Sequence, residues 1–279
     1  MYITNKPDVA QIAERAGVDW IFLDMEFIGK DARQGGLDTV QNRHTVEDVI
    51  NIKKALSSSK VLVRVNPIHE AIDSYPSSKD EIEEVILAGA DIVMLPYFKT
   101  VSEVRQFIGY VNGRAKTCLL LETAEAAALV DDILEISGID MVHIGLNDLH
   151  LSLGMKFMFQ LLSDGTVERL GNKIKAKGIP FGFGGIARLD SGMLPGTAVL
   201  KEHIRLGSSM VIVSRSFCNT ELITDLEEVR VIFNSGIADI RRLEAETKSD
   251  AECLDDNKAF VKKAVDDIVK LIEKKANGN

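Results

Sequence analysis

The chain is poor in cysteine: it has only Cys118, Cys218 and Cys253, spread far apart. Residues so few and so scattered supply neither the disulfide framework of a small secreted domain nor a paired Cys-x-x-Cys metal site. We therefore expect free thiols in a reducing compartment. Cys118 lies inside an apolar run, and we interpret it as a core residue.

Long apolar runs are also missing from the sequence. No stretch approaches the roughly 20 apolar residues that span a bilayer. The opening MYITNKPDVA has neither the basic region nor the apolar run of a signal peptide. We expect a cytoplasmic protein without a membrane partner.

Basic residues are also fewer than acidic residues. The chain has 33 Lys and Arg against 42 Asp and Glu, a formal net charge of -9 at pH 7. This balance argues against a nucleic-acid partner and suits an enzyme of small molecules. Nicotinamide binding is disfavoured because no Gly-x-Gly-x-x-Gly opens a helix, and a Schiff base because no lysine occupies an inner strand position.

A weak internal repeat organises the chain. Four segments share a glycine, a polar residue and an apolar strand: AGVDWIFLD (16–24), AGADIVMLP (88–96), SGIDMVHIG (137–145) and LGSSMVIVS (206–214). Further apolar strands are predicted at YIT (2–4), KVLVRVN (60–66), TCLLLE (117–122) and PFGFGG (180–185). The segments between them have helical periodicity. Eight apolar strands alternating with helices predict an α/β fold, a (β/α)8 TIM barrel.

The C-terminal part of the chain exceeds what an eighth barrel helix needs. We assign residues 1–220 to the barrel and 221–279 to extra C-terminal helices. An apolar stripe is predicted on the last helix, formed by Phe260, Ala264, Ile268 and Leu271. We expect this extension to pack on the barrel or on a neighbouring subunit, and the protein to be a homo-oligomer.

Polar side chains gather where the predicted strands end, the edge at which TIM barrels carry their chemistry. These strand ends supply Asp24, Glu26, Arg64, Asn66, Glu122, Asn147, Asp148, Arg188, Ser214, Arg215 and Ser216. Glu122 and Asp148 follow neighbouring strands, and two adjacent carboxylates without a cation would repel each other. Hard divalent ions favour such oxygen ligands, so the pair predicts a metal site. The alternative for each carboxylate alone is a helix cap.

The strand ends resemble those of the HpcH/HpaI aldolase family, the metal-dependent (class II) pyruvate aldolases grouped with citrate lyase β-subunits. The resemblance covers residues 8 to about 217 and rests on WIFLDMEF, VRVN, LLLET and IGLNDLHLSLG. It implies a carbon–carbon lyase that acts on a 2-keto acid or a 4-hydroxy-2-keto acid through a pyruvate enolate. Glu122 and Asp148 would bind Mg2+ or Mn2+, with Co2+ as a further choice, and Arg64 would stabilise the enolate.

The remaining substrate contacts are expected around the next strand ends. Gly145, Asn147 and Asp148 open a predicted helix, whose dipole favours the substrate carboxylate. Arg188 and Arg215 follow strands seven and eight, where barrels often bind phosphate. The glycines beside them are explained equally well by packing inside the barrel. For Arg64, an ion pair with Asp24 or Glu26 is compatible with the substrate role.

The sequence departs from the family at one position. The family's proton-transfer histidine follows the strand-two glutamate, but here Phe27 follows Glu26. A long loop, residues 28–44, carries Lys30, Arg33, Arg43 and His44. His44 and Glu26 are the candidate proton carriers, His69 is a further one, and an exposed or capping role is the alternative for His44. A keto-acid-binding barrel with altered or lost lyase chemistry is therefore the second functional hypothesis.

Overall fold

A computed structural model describes residues 1–29, 43–72 and 75–277 of the chain. Within these residues, eight parallel strands form a closed barrel in sequence order. The strands are β1 (Tyr2–Ile3), β2 (Trp20–Asp24), β3 (Lys60–Arg64), β4 (Ile92–Leu95), β5 (Lys116–Leu121), β6 (Met141–Ile144), β7 (Phe181–Ile186) and β8 (Met210–Val213). Tyr2 pairs with Val213 and closes the barrel. The predicted TIM barrel is confirmed.

Helices connect the strands and cover the barrel. In the described part of the chain they are α1 (Pro7–Arg15), α2 (Val46–Ala55), α3 (Ser78–Leu87), α4 (Val101–Val111), α5 (Ala124–Ala128), α6 (Val130–Leu134), α7 (Leu146–Ser152), α8 (Gln160–Ser163), α9 (Thr166–Ala176), α10 (Gly196–Leu206), α11 (Leu226–Thr247) and α12 (Ala251–Asn277). Reciprocal side-chain caps fix two of the helix starts, Thr45 with Asp48 at α2 and Thr100 with Glu103 at α4. No helix of the described residues is long and apolar enough to cross a membrane.

Alternating residues of the strands divide the core into two clusters. One cluster contains Met1, Phe22, Leu62, Ile92, Met94, Cys118, Leu120 and Met141. The intervening strand residues belong to a larger cluster that also contains the buried faces of the helices. Because successive strand side chains point to opposite faces, we assign the first cluster to the barrel interior and the second to the layer under the helices.

The two C-terminal helices bury apolar side chains. Helix α11 buries Val229, Phe233, Ile237 and Ile240, and the ring of Phe233 meets that of Tyr2 edge-on at 4.8 Å between centroids. Helix α12 buries Val261, Val265 and Ile268. Asn257 Nδ2 donates to the Ala198 carbonyl at 3.1 Å and so ties α12 to α10.

The buried face of α12 differs from the predicted stripe. Ile268 is buried as expected, but Phe260 and Leu271 are 49% and 55% exposed. Both Val261 and Val265, one position further along the helix, are buried instead. The division of the chain at residue 220 remains an interpretation.

Candidate active site

Arg64, the last residue of β3, is the centre of a charged cluster at the carboxyl end of the barrel. Its Nε and Nη2 atoms each donate to one oxygen of Asp24, both at 2.8 Å. Its Nη1 lies 3.3 Å from Glu26 Oε2. Both carboxylates are buried, while Arg64 keeps 16% of its side chain exposed. The ion pair that the sequence allowed between Arg64 and Asp24 or Glu26 is therefore present, and it includes both carboxylates.

The electrostatics of this cluster keep Arg64 charged. Burial alone would lower the pKa of the Arg64 guanidinium, but Asp24, Glu26 and the more weakly coupled Glu122 raise it above its usual value. Two hydrogen bonds to Asp24 leave further N–H groups on Nη1 and Nη2. A permanently charged, rigidly held guanidinium is suited to stabilising negative charge on a bound oxygen.

A second network fixes the turn after Glu26. Asn66 Oδ1 accepts hydrogen bonds from the N–H groups of Phe27 and Ile28, both at 2.9 Å. Asn66 Nδ2 in turn donates to Glu81 Oε1 at 2.9 Å. Burial raises the pKa of the Glu81 carboxyl, against the opposing effect of its hydrogen bonds.

Glu81 was not identified from the sequence, although a signal was available. The residue lies one helical turn before Val85, on the buried face of α3. An acidic side chain on the apolar face of a helix usually has a buried partner. Here that partner is Asn66, so Glu81 supports the candidate site indirectly.

Phe27 lies at the rim, in the position where the sequence lacks the expected histidine. Its ring is 38% exposed and meets the ring of Tyr75 edge-on at 4.8 Å between centroids. Tyr75 donates its hydroxyl to Glu81 at 3.0 Å. The position thus contributes an aromatic surface and no titratable group.

His44 returns to the strand end that carries Asp24. The Asp24 N–H donates to His44 Nδ1 at 3.0 Å, and the His44 N–H donates to the Asp24 carbonyl at 3.2 Å. Because Nδ1 accepts, the proton of the neutral ring lies on Nε2. His44 is half-buried. Two cations of the same loop, Lys30 and Arg33, lie outside the described residues.

His69 is placed differently from His44. Its Nδ1 lies 2.7 Å from the Pro67 carbonyl, and its Nε2 lies 2.9 Å from the Pro76 carbonyl. Carbonyl oxygens only accept hydrogen bonds, so this arrangement uses the ring to hold its own loop. The geometry favours a structural role for His69 over proton transfer.

The predicted metal ligands follow adjacent strands. Glu122 directly follows β5, and Asp148 lies in the first turn of α7, just after β6. Both are buried. Glu122 Oε1 accepts the Tyr97 N–H at 3.0 Å, and Asn147 Nδ2 donates to Asp148 Oδ1 at 3.3 Å.

The donor set of these residues fits a hard divalent ion. The Glu122 carboxylate has room because position 145 is glycine. A Cβ at that position would lie only 2.7 Å from Glu122 Oε2. Within residues 1–29, 43–72 and 75–277, no three His, Cys, Asp or Glu side chains form a metal-binding group. Mg2+ is commonly bound through one or two carboxylates, with water and substrate oxygens completing its shell. Glu122 and Asp148 are compatible with that pattern.

A buried histidine beneath the rim is another residue that sequence reasoning missed. His143 belongs to β6, and its Nε2 lies 3.0 Å from the Gly184 carbonyl. Burial, assisted by the positive charge of Arg64, lowers the pKa of His143 to about 4. Its signal in the sequence was a lone polar residue in the apolar strand MVHI. His143 is therefore neutral at physiological pH.

The two arginines beyond β7 and β8 lie at the surface. Arg188 Nε donates to the Phe217 carbonyl at 3.1 Å and joins the loops that follow these strands. Arg215 is exposed. Close packing explains the glycines of β7, because a Cβ on Gly184 would lie 2.7 Å from the Leu146 side chain.

The comparison with protein families decides the classification. The model of the HpcH/HpaI aldolase/citrate lyase family matches residues 2–159, more than half of the chain. The chain belongs to this family. The match includes Asp24, Arg64, Glu122 and Asp148, and it confirms the resemblance inferred from the strand ends.

Curated relatives of this HpcH/HpaI family member are aldolases. The hydroxypyruvate/pyruvate aldolase of Roseobacter denitrificans is 27% identical over 205 residues, which cover 61% of this chain and 72% of the relative. The 2-keto-3-deoxy-L-rhamnonate aldolase of Escherichia coli O17:K52:H18 is 24% identical over 176 residues, which cover 52% of this chain. The match spans 58% of the length of that second relative.

Solved structures of the family share the fold. A HpcH/HpaI aldolase/citrate lyase family protein from Burkholderia cenocepacia J2315 has a TM-score of 0.60 at 18% identity, covering 82% of this chain and 94% of its own. The HpcH/HpaI aldolase from Desulfitobacterium hafniense DCB-2 has a TM-score of 0.57 at 17% identity, covering 76% and 84%. At these identities, the likenesses show the barrel fold alone.

Proposed function

We propose that this protein is a divalent-metal-dependent carbon–carbon lyase that acts on a 2-keto acid or a 4-hydroxy-2-keto acid. The observation that carries the proposal is the charged cluster of Arg64 with Asp24 and Glu26 on the rim that also bears Glu122 and Asp148. A half-buried arginine on the same rim as two candidate oxygen ligands is suited to a substrate whose reaction develops negative charge on an oxygen. The names of the relatives agree with this substrate class.

Each rim residue has a proposed task. Glu122 and Asp148 would bind Mg2+, Mn2+ or Co2+, and the ion would supply Lewis acidity toward the keto oxygen. Arg64 would donate its remaining N–H groups to the same oxygen as negative charge develops there. Asp24 and Glu26 hold the guanidinium in place.

The substrate carboxylate and the proton require further residues. The backbone N–H groups of Asn147 and Asp148, in the first turn of α7, are the proposed contacts of the carboxylate. Gly145, expected from the sequence to take part, instead donates its N–H to the Leu121 carbonyl at 3.0 Å. Arg188 and Arg215 would meet only a long or phosphorylated substrate, because both are exposed beyond β7 and β8. His44 is the proposed proton carrier, since the hydrogen bond from the Asp24 N–H to its Nδ1 fixes the ring at this strand end. Glu26 is the alternative carrier.

One observation favours a second candidate function. Phe27 gives the rim an exposed aromatic ring where the family resemblance expects a histidine. A barrel that binds a keto acid without cleaving a carbon–carbon bond would need no proton carrier at this position. The metal and the arginine would then serve binding alone.

Cleavage of a panel of 4-hydroxy-2-keto acids separates the two functions. Pyruvate release is followed with added Mg2+, Mn2+ or Co2+, and again after addition of a chelator. The lyase predicts release that requires the ion. Keto-acid binding without release from any member of the panel would favour the second function.

A further inference from the structure

The Glu122 carboxylate is held from two sides by groups that the proposed chemistry does not otherwise use. Its Oε1 accepts the backbone N–H of Tyr97 at 3.0 Å, from the segment that follows β4. Its Oε2 faces Gly145, which directly follows β6. A carboxylate at the end of β5 is thus flanked by the ends of both neighbouring strands.

The backbone at Tyr97 is unusual. Its φ is +47°, in the left-handed region, which bulky residues seldom occupy. The other residue of the described ranges with a positive φ and a side chain is Asn112, at a helix end where this conformation is common. Backbone strain of this kind persists where the surrounding structure requires it and concentrates at functional sites. At Tyr97 it accompanies an N–H group directed at Glu122.

Gly145 is glycine for reasons of space rather than conformation. Its φ of -81° and ψ of 96° are open to any residue. A Cβ at this position would lie 2.7 Å from Glu122 Oε2 and 2.8 Å from Glu122 Cβ. Side-chain atoms do not approach this closely, so any other residue would displace the carboxylate.

We propose that Gly145 and the backbone N–H of Tyr97 are positioning groups that fix the Glu122 carboxylate in the orientation for binding a divalent ion. The inference rests on the proposed function, which makes Glu122 a metal ligand. It adds that the ligand is oriented before the ion arrives. Groups that orient a metal ligand typically change metal affinity about 10- to 100-fold when they are lost.

Gly145→Ala tests the steric half of the proposal. Isothermal titration of the metal-free protein with Mn2+ should show affinity lowered about 10- to 100-fold, because the new methyl group displaces Glu122 Oε2. Gly109→Ala is the matched control, since a Cβ at Gly109 meets nothing within 4 Å. The control should bind Mn2+ like the wild type. Unchanged affinity in Gly145→Ala would overturn the proposal.

A double substitution separates positioning from a general effect on the fold. Glu122→Asp shortens the ligand by one methylene group, withdraws the carboxylate from position 145 and should itself weaken binding. Aspartate keeps the Cβ that lies 2.8 Å from the new methyl group, so adding Gly145→Ala to Glu122→Asp should cost clearly less than it costs in the wild type, but not nothing. If Gly145→Ala costs the same factor in both backgrounds, its effect is structural and the proposal is wrong.

Tyr97→Asn tests the backbone half and does not depend on Gly145→Ala folding. Asparagine accepts the left-handed conformation and keeps the N–H group, so Mn2+ affinity should stay within about threefold of the wild type. A loss of tenfold or more would show that the ring, and not the N–H, orients Glu122. A wild-type protein that binds no Mn2+ would instead refute the proposed function itself.

Discussion

At the scale of single residues, the proposed chemistry depends on Arg64, which Asp24 and Glu26 hold at the rim. Alternation along a strand fixes which residues face inward, so Arg64 and Glu122 could be placed at strand ends. From the sequence, the ion pair with Asp24 or Glu26 was only one of two compatible roles for Arg64, beside substrate binding. The hydrogen bonds between Asn66 and the turn at Phe27 depend on the geometry of a loop, and hydrophobic periodicity does not predict loop geometry.

His44 provides the first test at this scale. We expect His44→Ala to lower metal-dependent proton exchange about 10²- to 10⁴-fold, the usual contribution of a positioned acid or base. Mn2+ affinity should stay nearly the same, because the hydrogen bonds of His44 within the described residues join it to Asp24, which is not a proposed ligand. His69→Ala is the comparison and should affect exchange far less, since both of its ring nitrogens face carbonyls. Equal effects of the two substitutions would argue against His44 as the carrier.

Buried His203 should make the stability of the fold decrease in acid. Burial lowers its pKa from 6.5 to about 3, and its ring stacks on Phe183 at 3.7 Å between centroids. The unfolded chain therefore takes up a proton below pH 6.5 that the folded chain excludes. Stability is fully present above that pH and falls as pH decreases, by up to about 1.4 kcal/mol per pH unit for this one proton.

The measurement is urea unfolding of the wild type and of His203→Phe as a function of pH. The variant has no proton to exclude at this position, so its stability should fall less steeply below pH 6.5. His143 should still contribute its own slope down to about pH 4. Parallel curves for the two proteins would contradict the assignment.

At the scale of elements, all eight strands were predictable because each is a short, mostly apolar segment, and all but β1 follow a helix. The buried face of α12 could not be predicted. Its apolar residues occupy adjacent positions, such as Phe260 and Val261, so periodicity allows two faces. The barrel selects the face with Val261 and Val265, and this choice depends on packing against the rest of the chain.

Strand β7 carries the clearest prediction about an element. A Cβ on Gly182 would lie 2.2 Å from both the side chain and the backbone oxygen of Met210, on the neighbouring strand β8. Backbone cannot yield as a flexible side chain can, so Gly182→Ala should lower the free energy of unfolding by about 3 kcal/mol or more. Chemical denaturation measures this, with Gly109→Ala as the unstrained comparison. Equal stability of the two variants would show that β7 and β8 can separate at no cost.

At the scale of the whole molecule, the C-terminal helices leave apolar surface exposed. Phe260 and Leu271 on α12 are about half exposed, and Val231 on α11 is 65% exposed. We expect a homo-oligomer that covers part of this surface. Light scattering at micromolar concentration should give a mass of at least twice the 30.7 kDa of one chain. A monomer at that concentration would refute the expectation.

The proposed function requires that the rim binds a divalent ion and draws a proton from a keto acid. Deuterium exchange at the methyl group of pyruvate, followed by proton NMR, tests this without knowledge of the aldehyde partner. We predict exchange with added Mg2+ or Mn2+, its loss after chelation, and its loss in Glu122→Gln. Wild-type protein that shows no exchange with any of the ions, or exchange that survives the chelator, would contradict the proposed function.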